Sequence, residues 1–182
     1  METYISLLRG INVSGKKKII MVELKAMYNE LGFENVITYI QSGNVLFKSK
    51  NTNKKQLSQT IKKAIQSTFG FDVTVLVLSA EELIAMELGN PYRNSGVEQK
   101  FLGLTFLEET PDQEKVEALK QLEFPGEEFE IIGRVIYLSC PNGFGRSKFN
   151  NSLFESKLKV RATNRNLRST RKLIELAEGM RD

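Results

Sequence analysis

The order of hydrophobic patterns is the feature that most constrains the fold, because the same order occurs twice. Tyr4–Arg9 reads as a strand, and Leu24, Met27, Tyr28 and Leu31 repeat at helical spacing up to Gly32, which sits where a helix would end. Asn35–Ile40 and Asn44–Lys48 are short apolar runs joined across Gln41-Ser42-Gly43, a hairpin signal. A helix follows over Asn53–Phe69, closed by Gly70, and then a strand over Asp72–Leu78. Residues 99–182 repeat the order: a strand over Lys100–Leu107, and a helix from Thr110-Pro111-Asp112-Gln113 to about Leu122 with Thr110 as its cap. Strands over Glu127–Ile132 and Arg134–Ser139 come next, then a helix near Ser147–Lys157, a short strand at Val160–Ala162 and a closing helix over Asn166–Gly179. Gly43-Asn44-Val45-Leu46-Phe47 echoes Gly133-Arg134-Val135-Ile136-Tyr137.

A doubled β-α-β-β-α-β order predicts an α+β protein of two tandem ferredoxin-like plaits, antiparallel sheets with helices on one face. The expected division is 1–78 for the first plait, 79–98 for a short helix and linker, and 99–182 for the second plait with its C-terminal helix. The linker region opens with Ser79-Ala80-Glu81-Glu82, a capping box. Asp72–Leu78 is apolar at both parities, so the face of the sheet away from the helices is expected to be covered as well. That speaks against an open sheet on which bases stack.

Composition narrows the chemistry. The 182 residues include no histidine, no tryptophan and one cysteine. Imidazole-based triads, imidazole-ligated metals, thiolate-rich zinc sites and internal disulfides are excluded. No metal motif is present, and neither a cofactor nor a set of catalytic residues can be assigned. The net charge of +4 is unevenly spread: residues 1–78 carry +6, residues 79–140 carry −8, and residues 141–182 carry +6. Either the basic segments converge on an anion, or charged faces meet one another or water. The N-terminal residues Met1-Glu2-Thr3-Tyr4 are acidic where a signal peptide would be basic, and no apolar run reaches the roughly 20 residues of a membrane span. The expectation is a soluble cytoplasmic protein with no membrane partner.

Three segments are candidate sites. Gly10–Lys17 matches G-x-x-x-x-G-K but ends in Lys17, where a nucleotide-hydrolysing loop needs Ser or Thr on the metal. Glycine-spaced N–H groups beside Lys16, Lys17 and Lys18 still suit an anion; the alternative is a basic surface loop. In the expected topology the first two strands run the same way, so Arg9, Asn12 and Lys16 should lie near Gln41, Ser42 and Asn44. Arg9 beside Gln, Ser and Asn is able to hold phosphate or carboxylate, or these groups bond loop carbonyls and fix the turn. Third, Gly143–Lys148 delivers Arg146, Ser147 and Lys148 to an expected helix start, where the dipole favours anions, unless Ser147 is simply the cap. Thr163, Arg165 and Asn166 form a similar entry to the last helix, with Arg165, Arg168 and Lys172 spaced along one face. Cys140 is expected to be structural, since no histidine or second thiol can activate it.

Leu7–Lys16, Thr38–Val45, Gly145–Lys148 and Ala162–Asn166 with Lys172-Leu173 together resemble the signatures of a bacterial family, domain of unknown function 1697. The resemblance spans nearly the whole chain, with Ser14 where that family usually has Gly and Leu167 where it usually has Trp. It implies a paired-plait α+β fold in a bacterial cytoplasm and no settled activity. The expected function is binding of an anionic ligand, whether nucleic acid, nucleotide or phosphorylated small molecule, through basic Gly-rich loops. Two rivals stand: an enzyme acting on a small phosphorylated or carboxylated substrate between the plaits, and motifs that only lock the plaits together. Oligomeric state is not legible.

Overall fold

The computed structural model describes residues 1–181, which form a mixed α/β protein with two four-stranded antiparallel sheets and six α-helices. The first half runs β1 (Glu2–Leu8), α1 (Met21–Glu30), β2 (Glu34–Tyr39), β3 (Asn44–Ser49), α2 (Lys54–Phe69), β4 (Val75–Ser79) and α3 (Ala80–Leu88). The second runs β5 (Leu102–Leu107), α4 (Gln113–Lys120), β6 (Glu128–Ile132), β7 (Val135–Ser139), α5 (Asn151–Leu158), β8 (Ala162–Asn166) and α6 (Leu167–Glu178). The sheet orders are β2-β3-β1-β4 and β6-β7-β5-β8, so each half places its strands identically. Two compact units result: Met1–Ile84 together with the chain from Lys172 onward, and Ala85–Arg171.

Local chemistry explains the boundaries. In α2, Leu57, Ile61 and Ile65 line one face four residues apart; Asn53 Oδ1 caps its start by accepting from Gln56 N at 3.1 Å, and Gly70 ends it in the left-handed region. The capping box at α3 is reciprocal: Glu82 N donates to Ser79 Oγ at 3.2 Å and Ser79 N donates to Glu82 Oε2 at 2.9 Å. Three expected boundaries move. Asp112, not Thr110, caps α4, its Oδ1 accepting from Glu114 N at 2.9 Å. α5 begins at Asn151 under an Asn150 cap, four residues beyond Ser147. The last strand is Ala162–Asn166, so Thr163 and Arg165 are strand residues rather than a helix entry, and Arg165 shares no helix face with Arg168 and Lys172.

In the first unit Tyr4, Leu8, Val45 and Phe47 face α1 and α2, packed with Leu24, Tyr28, Leu57 and Ile61. Each such buried side chain contributes about 1.5–3 kcal/mol. Ser6 lies on the same face, fully buried, and hydrogen-bonds Tyr28 Oη at 2.8 Å. The opposite face is also buried at Ile5, Leu7, Leu46, Leu76 and Leu78. Neither face of β1, β3 and β4 is open for bases to stack on.

The echo between residues 43–47 and 133–137 is not a structural equivalence. Val45 and Phe47 face the helices of their unit, whereas Ile136 and Leu138 do so in the second, packed with Val116, Leu119, Phe154 and Leu158. A slip of one residue turns every strand side chain to the other face, so Val135 and Tyr137 point away from α4 and α5. Tyr137 Oη there donates to the Met86 carbonyl at 2.8 Å.

Because β1 and β2 are both antiparallel to β3, they run the same way, and the segments that follow them share one sheet edge. Gly43 closes that edge. It has φ of +80°, Leu8 N donates to its carbonyl at 2.8 Å, and a Cβ added there would stand 2.6 Å from Leu8 Cβ and 3.0 Å from Ile11 Cγ1. Gly43→Ala combines left-handed strain with overpacking and should cost about 2–4 kcal/mol in urea unfolding; a loss below about 0.5 kcal/mol would show that the packing is not tight.

Candidate functional site

The segment after β1 is held by one carboxamide. Asn12 Oδ1 accepts from Ile19 N at 2.8 Å, and Asn12 Nδ2 donates to the carbonyls of Ile19 and Gln41, each at 3.0 Å. Loop, helix entry and β2–β3 turn therefore meet at a single side chain. Asn12 suits the place twice over, since its φ of 54° lies in the left-handed region that asparagine tolerates. Asn12 N also donates to the Lys17 carbonyl at 3.1 Å, and Lys16 N to the Val13 carbonyl at 2.9 Å. Ser14 and Gly15 then occupy the centre of a tight turn with φ of 51° and 73°, the signature of type I′.

The sequence-based candidates of the first unit gather at this edge in different roles. Lys16 and Gln41 are exposed, as is neighbouring Lys18. Arg9 is half-buried, and its N–H donates to the Thr74 carbonyl at 2.9 Å. Asn44 is fully buried; its Nδ2 donates to the Tyr39 carbonyl at 3.1 Å and to Ser42 Oγ at 3.0 Å, so Ser42 and Asn44 shape the turn. Lys17 turns away and donates from Nζ to the Asp72 carbonyl. Among the described residues, the N–H groups of Ser14 and Gly15 meet no protein acceptor. Two adjacent N–H donors at a turn tip with lysines beside them are what an anion needs.

The second unit divides its candidates. Arg146 and Lys148 are exposed and line a cleft of about 490 Å³ with Asn142, Phe124, Pro125 and Glu127. Ser147 points inward: its Oγ donates to Glu127 Oε2 at 2.9 Å and accepts from Phe149 N at 3.0 Å. It is not the cap of α5, a role that Asn150 fills three residues later. Thr163 and Arg165 are buried on β8, on the sheet face away from α4 and α5. Arg165 Nη1 donates to the Asn164 carbonyl at 2.7 Å, and burial pulls its guanidinium down to about 10. Asn166 caps α6, its Oδ1 accepting from Ser169 N at 2.7 Å. Leu167, where the family usually has Trp, is fully buried, so this side chain packs inside rather than facing a ligand.

Cys140 is buried, donates to Ser147 Oγ at 3.5 Å, and burial raises its thiol above the ordinary value. It is held as a thiol and contributes packing. Sequence reasoning missed Asn142 and the Phe124–Glu127 wall of the second cleft. The Pro125-Gly126 dipeptide marked a turn there, but nothing in the sequence tied it to Ser147. Among the described residues, no three His, Cys, Asp or Glu side chains are grouped to hold a metal, and no helix is long and apolar enough to cross a membrane.

Two substitutions probe the loop with opposite signs. Asn12→Ala strands the Ile19 N–H and should cost about 1–3 kcal/mol. Ser14→Gly relieves a non-glycine residue at positive φ and should raise stability by about 0.5–1 kcal/mol. Denaturant unfolding of both variants checks the pair; equal and negligible changes would mean that the loop is not ordered by these residues.

Comparison with known proteins places the chain. A solved structure, that of the conserved bacterial protein SP0830 from Streptococcus pneumoniae, matches with a TM-score of 0.73 at 28% identity, covering 97% of this chain and 98% of that one. No curated protein matches the chain. A family model described as a protein of unknown function, DUF1697, matches residues 1–137, which include β1, the Asn12 loop, the β2–β3 turn and most of the second sheet. The chain therefore belongs to the DUF1697 family.

Proposed function

We propose that the protein binds an anionic ligand, a nucleic acid, nucleotide or phosphorylated small molecule, at the edge formed by Gly10–Lys18 and the Gln41–Gly43 turn. One observation carries the reading. The Asn12 carboxamide fixes a type I′ turn so that two adjacent N–H groups, Ser14 and Gly15, stand in solvent beside exposed Lys16 and Lys18. The donors are pre-ordered, so an anion need not pay to organise them. Gln41 is exposed at the adjoining turn for orientation, and half-buried Arg9 adds positive charge at the end of β1. Arg146, Lys148 and Asn142 in the second unit offer a separate polar cleft of the same sign, tempered by Glu127.

Each half is read as a ferredoxin-like plait, on its element order and its 4-1-3-2 strand arrangement. Where such sheets bind RNA they do so on an open face; here both parities of β1, β3 and β4 are buried, which supports an edge-binding mode. The bacterial, cytoplasmic setting rests on the family resemblance.

Anisotropy of a labelled short single-stranded oligonucleotide, with inorganic polyphosphate as competitor, tests the reading. Lys16→Ala with Lys18→Ala should weaken binding roughly tenfold or more, and wild-type affinity should fall with salt by a log–log slope of about 0.7 per phosphate contacted. Unchanged affinity in the double variant for both anions would refute it.

A further inference from the structure

The same edge carries an apolar feature that an anion does not use. Val13 is 55% exposed, Ile20 62%, Val22 78% and Ile40 49%, four of the few large apolar side chains that face solvent. The Asn12 clamp joins the backbone segments that carry them. Val13 adjoins Asn12, Ile20 adjoins Ile19 and Ile40 adjoins Gln41, while the carboxamide bonds both Ile19 and Gln41. Val22 lies two residues beyond Ile20 in the first turn of α1. Apolar residues scattered singly over a surface need no explanation; here all four stand on the three segments that one clamp joins, in the same stretch of chain as exposed Lys16 and Lys18.

The second unit carries the complementary surface. A cleft of about 620 Å³ is walled by Tyr92, Phe124 and Phe129 and rimmed by Glu123, Glu127 and Glu128. Phe124 and Phe129 each meet Phe149 edge-on with centroids 4.8 Å apart, which fixes the wall. Glu123 and Glu128 are exposed and form no ion pair among the described residues. Burial, with Glu128 and Glu130 adding to it, pushes the Tyr92 phenol up to about 12. Glu128 and Glu130 thus impose a negative field at Tyr92, while Arg146 and Lys148 stand in the adjoining cleft that shares Phe124, Pro125 and Glu127.

We propose that a second copy of this chain fills the cleft. Aliphatic tips of one copy, led by Val13 and Ile40, seat against the Phe124 and Phe129 rings of the other, with Lys16 and Lys18 facing Glu123 and Glu128. The match is one of sign and of polarity: residues 1–78 carry +6 and residues 79–140 carry −8. Nucleic acid suits the aliphatic tips poorly, since Val and Ile present no π face to a base. The inference rests on the reading that this edge takes an anion, the anion here being carboxylates of the second copy. Because each copy offers one tip and one cleft, two such contacts close a pair and one alone extends a chain.

Light scattering on gel filtration, over a range of concentrations at about 50 mM and about 500 mM salt, reads the association. Wild type should associate at low salt and dissociate at high salt. Lys16→Glu with Lys18→Glu, and separately Glu123→Lys with Glu128→Lys, should each weaken association roughly tenfold or more, and an equimolar mixture should restore it because reversed tip meets reversed cleft. All four positions are exposed, so matching melting curves will confirm folding of each variant. A wild type monomeric at every concentration overturns the inference, as does association indifferent to both reversals. If the monomer still binds polyphosphate through Lys16 and Lys18, the anion site stands and only self-association falls. If copies pair as described while polyphosphate binding ignores those lysines, the reverse holds.

Discussion

The Asn12 carboxamide is the contact on which the edge after β1 and β2 depends. Three of its bonds go to backbone groups of two other segments, so one side chain sets the exit of β1, the entry to α1 and the turn between β2 and β3. Remove it and the Ile19 N–H and carbonyl lose their partner while the Gln41 turn is released, in a loop that holds several residues at positive φ. Exposed Lys16 and Lys18 and the aliphatic Val13, Ile20 and Ile40 are all carried on the segments of this frame.

The sheet beneath supplies the rigidity that frame needs. Burial on both faces of β1 leaves its C-terminal end little room to move, and Gly43 packs directly on Leu8 and Ile11. A binding group on such a mount loses little entropy when a ligand arrives. The second unit repeats the strand order without repeating its surface. Its corresponding end, after β5 and between β6 and β7, is tied by Arg134, whose carbonyl accepts from Leu107 N at 2.9 Å and whose Nη1 donates to the Glu108 carbonyl at 3.4 Å, whereas Ser147, Arg146 and Lys148 follow β7 at the other end of the sheet. One topology thus carries two chemically distinct edges.

Much of the fold was legible in the sequence because it is written in local periodicity. The spacing of Leu57, Ile61 and Ile65, the Ser79–Glu82 box and the Gly70 stop each report a structure their own residues enforce. What failed was decided elsewhere. Thr110 is a good cap by type, yet the helix starts two residues further on, where Asp112 Oδ1 accepts from Glu114 N. Ser147 reads as a cap but is claimed by Glu127, twenty residues away in sequence, and the helix waits for Asn150. The echo between the two hairpins was true of residue types and false of facing, a one-residue difference invisible without the sheet partners. At the candidate site, topology alone brought Asn12 and Gln41 together; which polar groups face inward, as Asn44 does, needed the packed turn.

The central claim is that this clamped turn, rather than the second unit's basic residues, receives the anion. Nuclear magnetic resonance of ¹⁵N-labelled protein titrated with inorganic polyphosphate measures it at the atoms concerned. The account predicts the largest amide shifts at Ser14, Gly15 and Lys16, with a smaller response at Gln41. Shifts confined to Arg146–Lys148, or none that saturate, would contradict it.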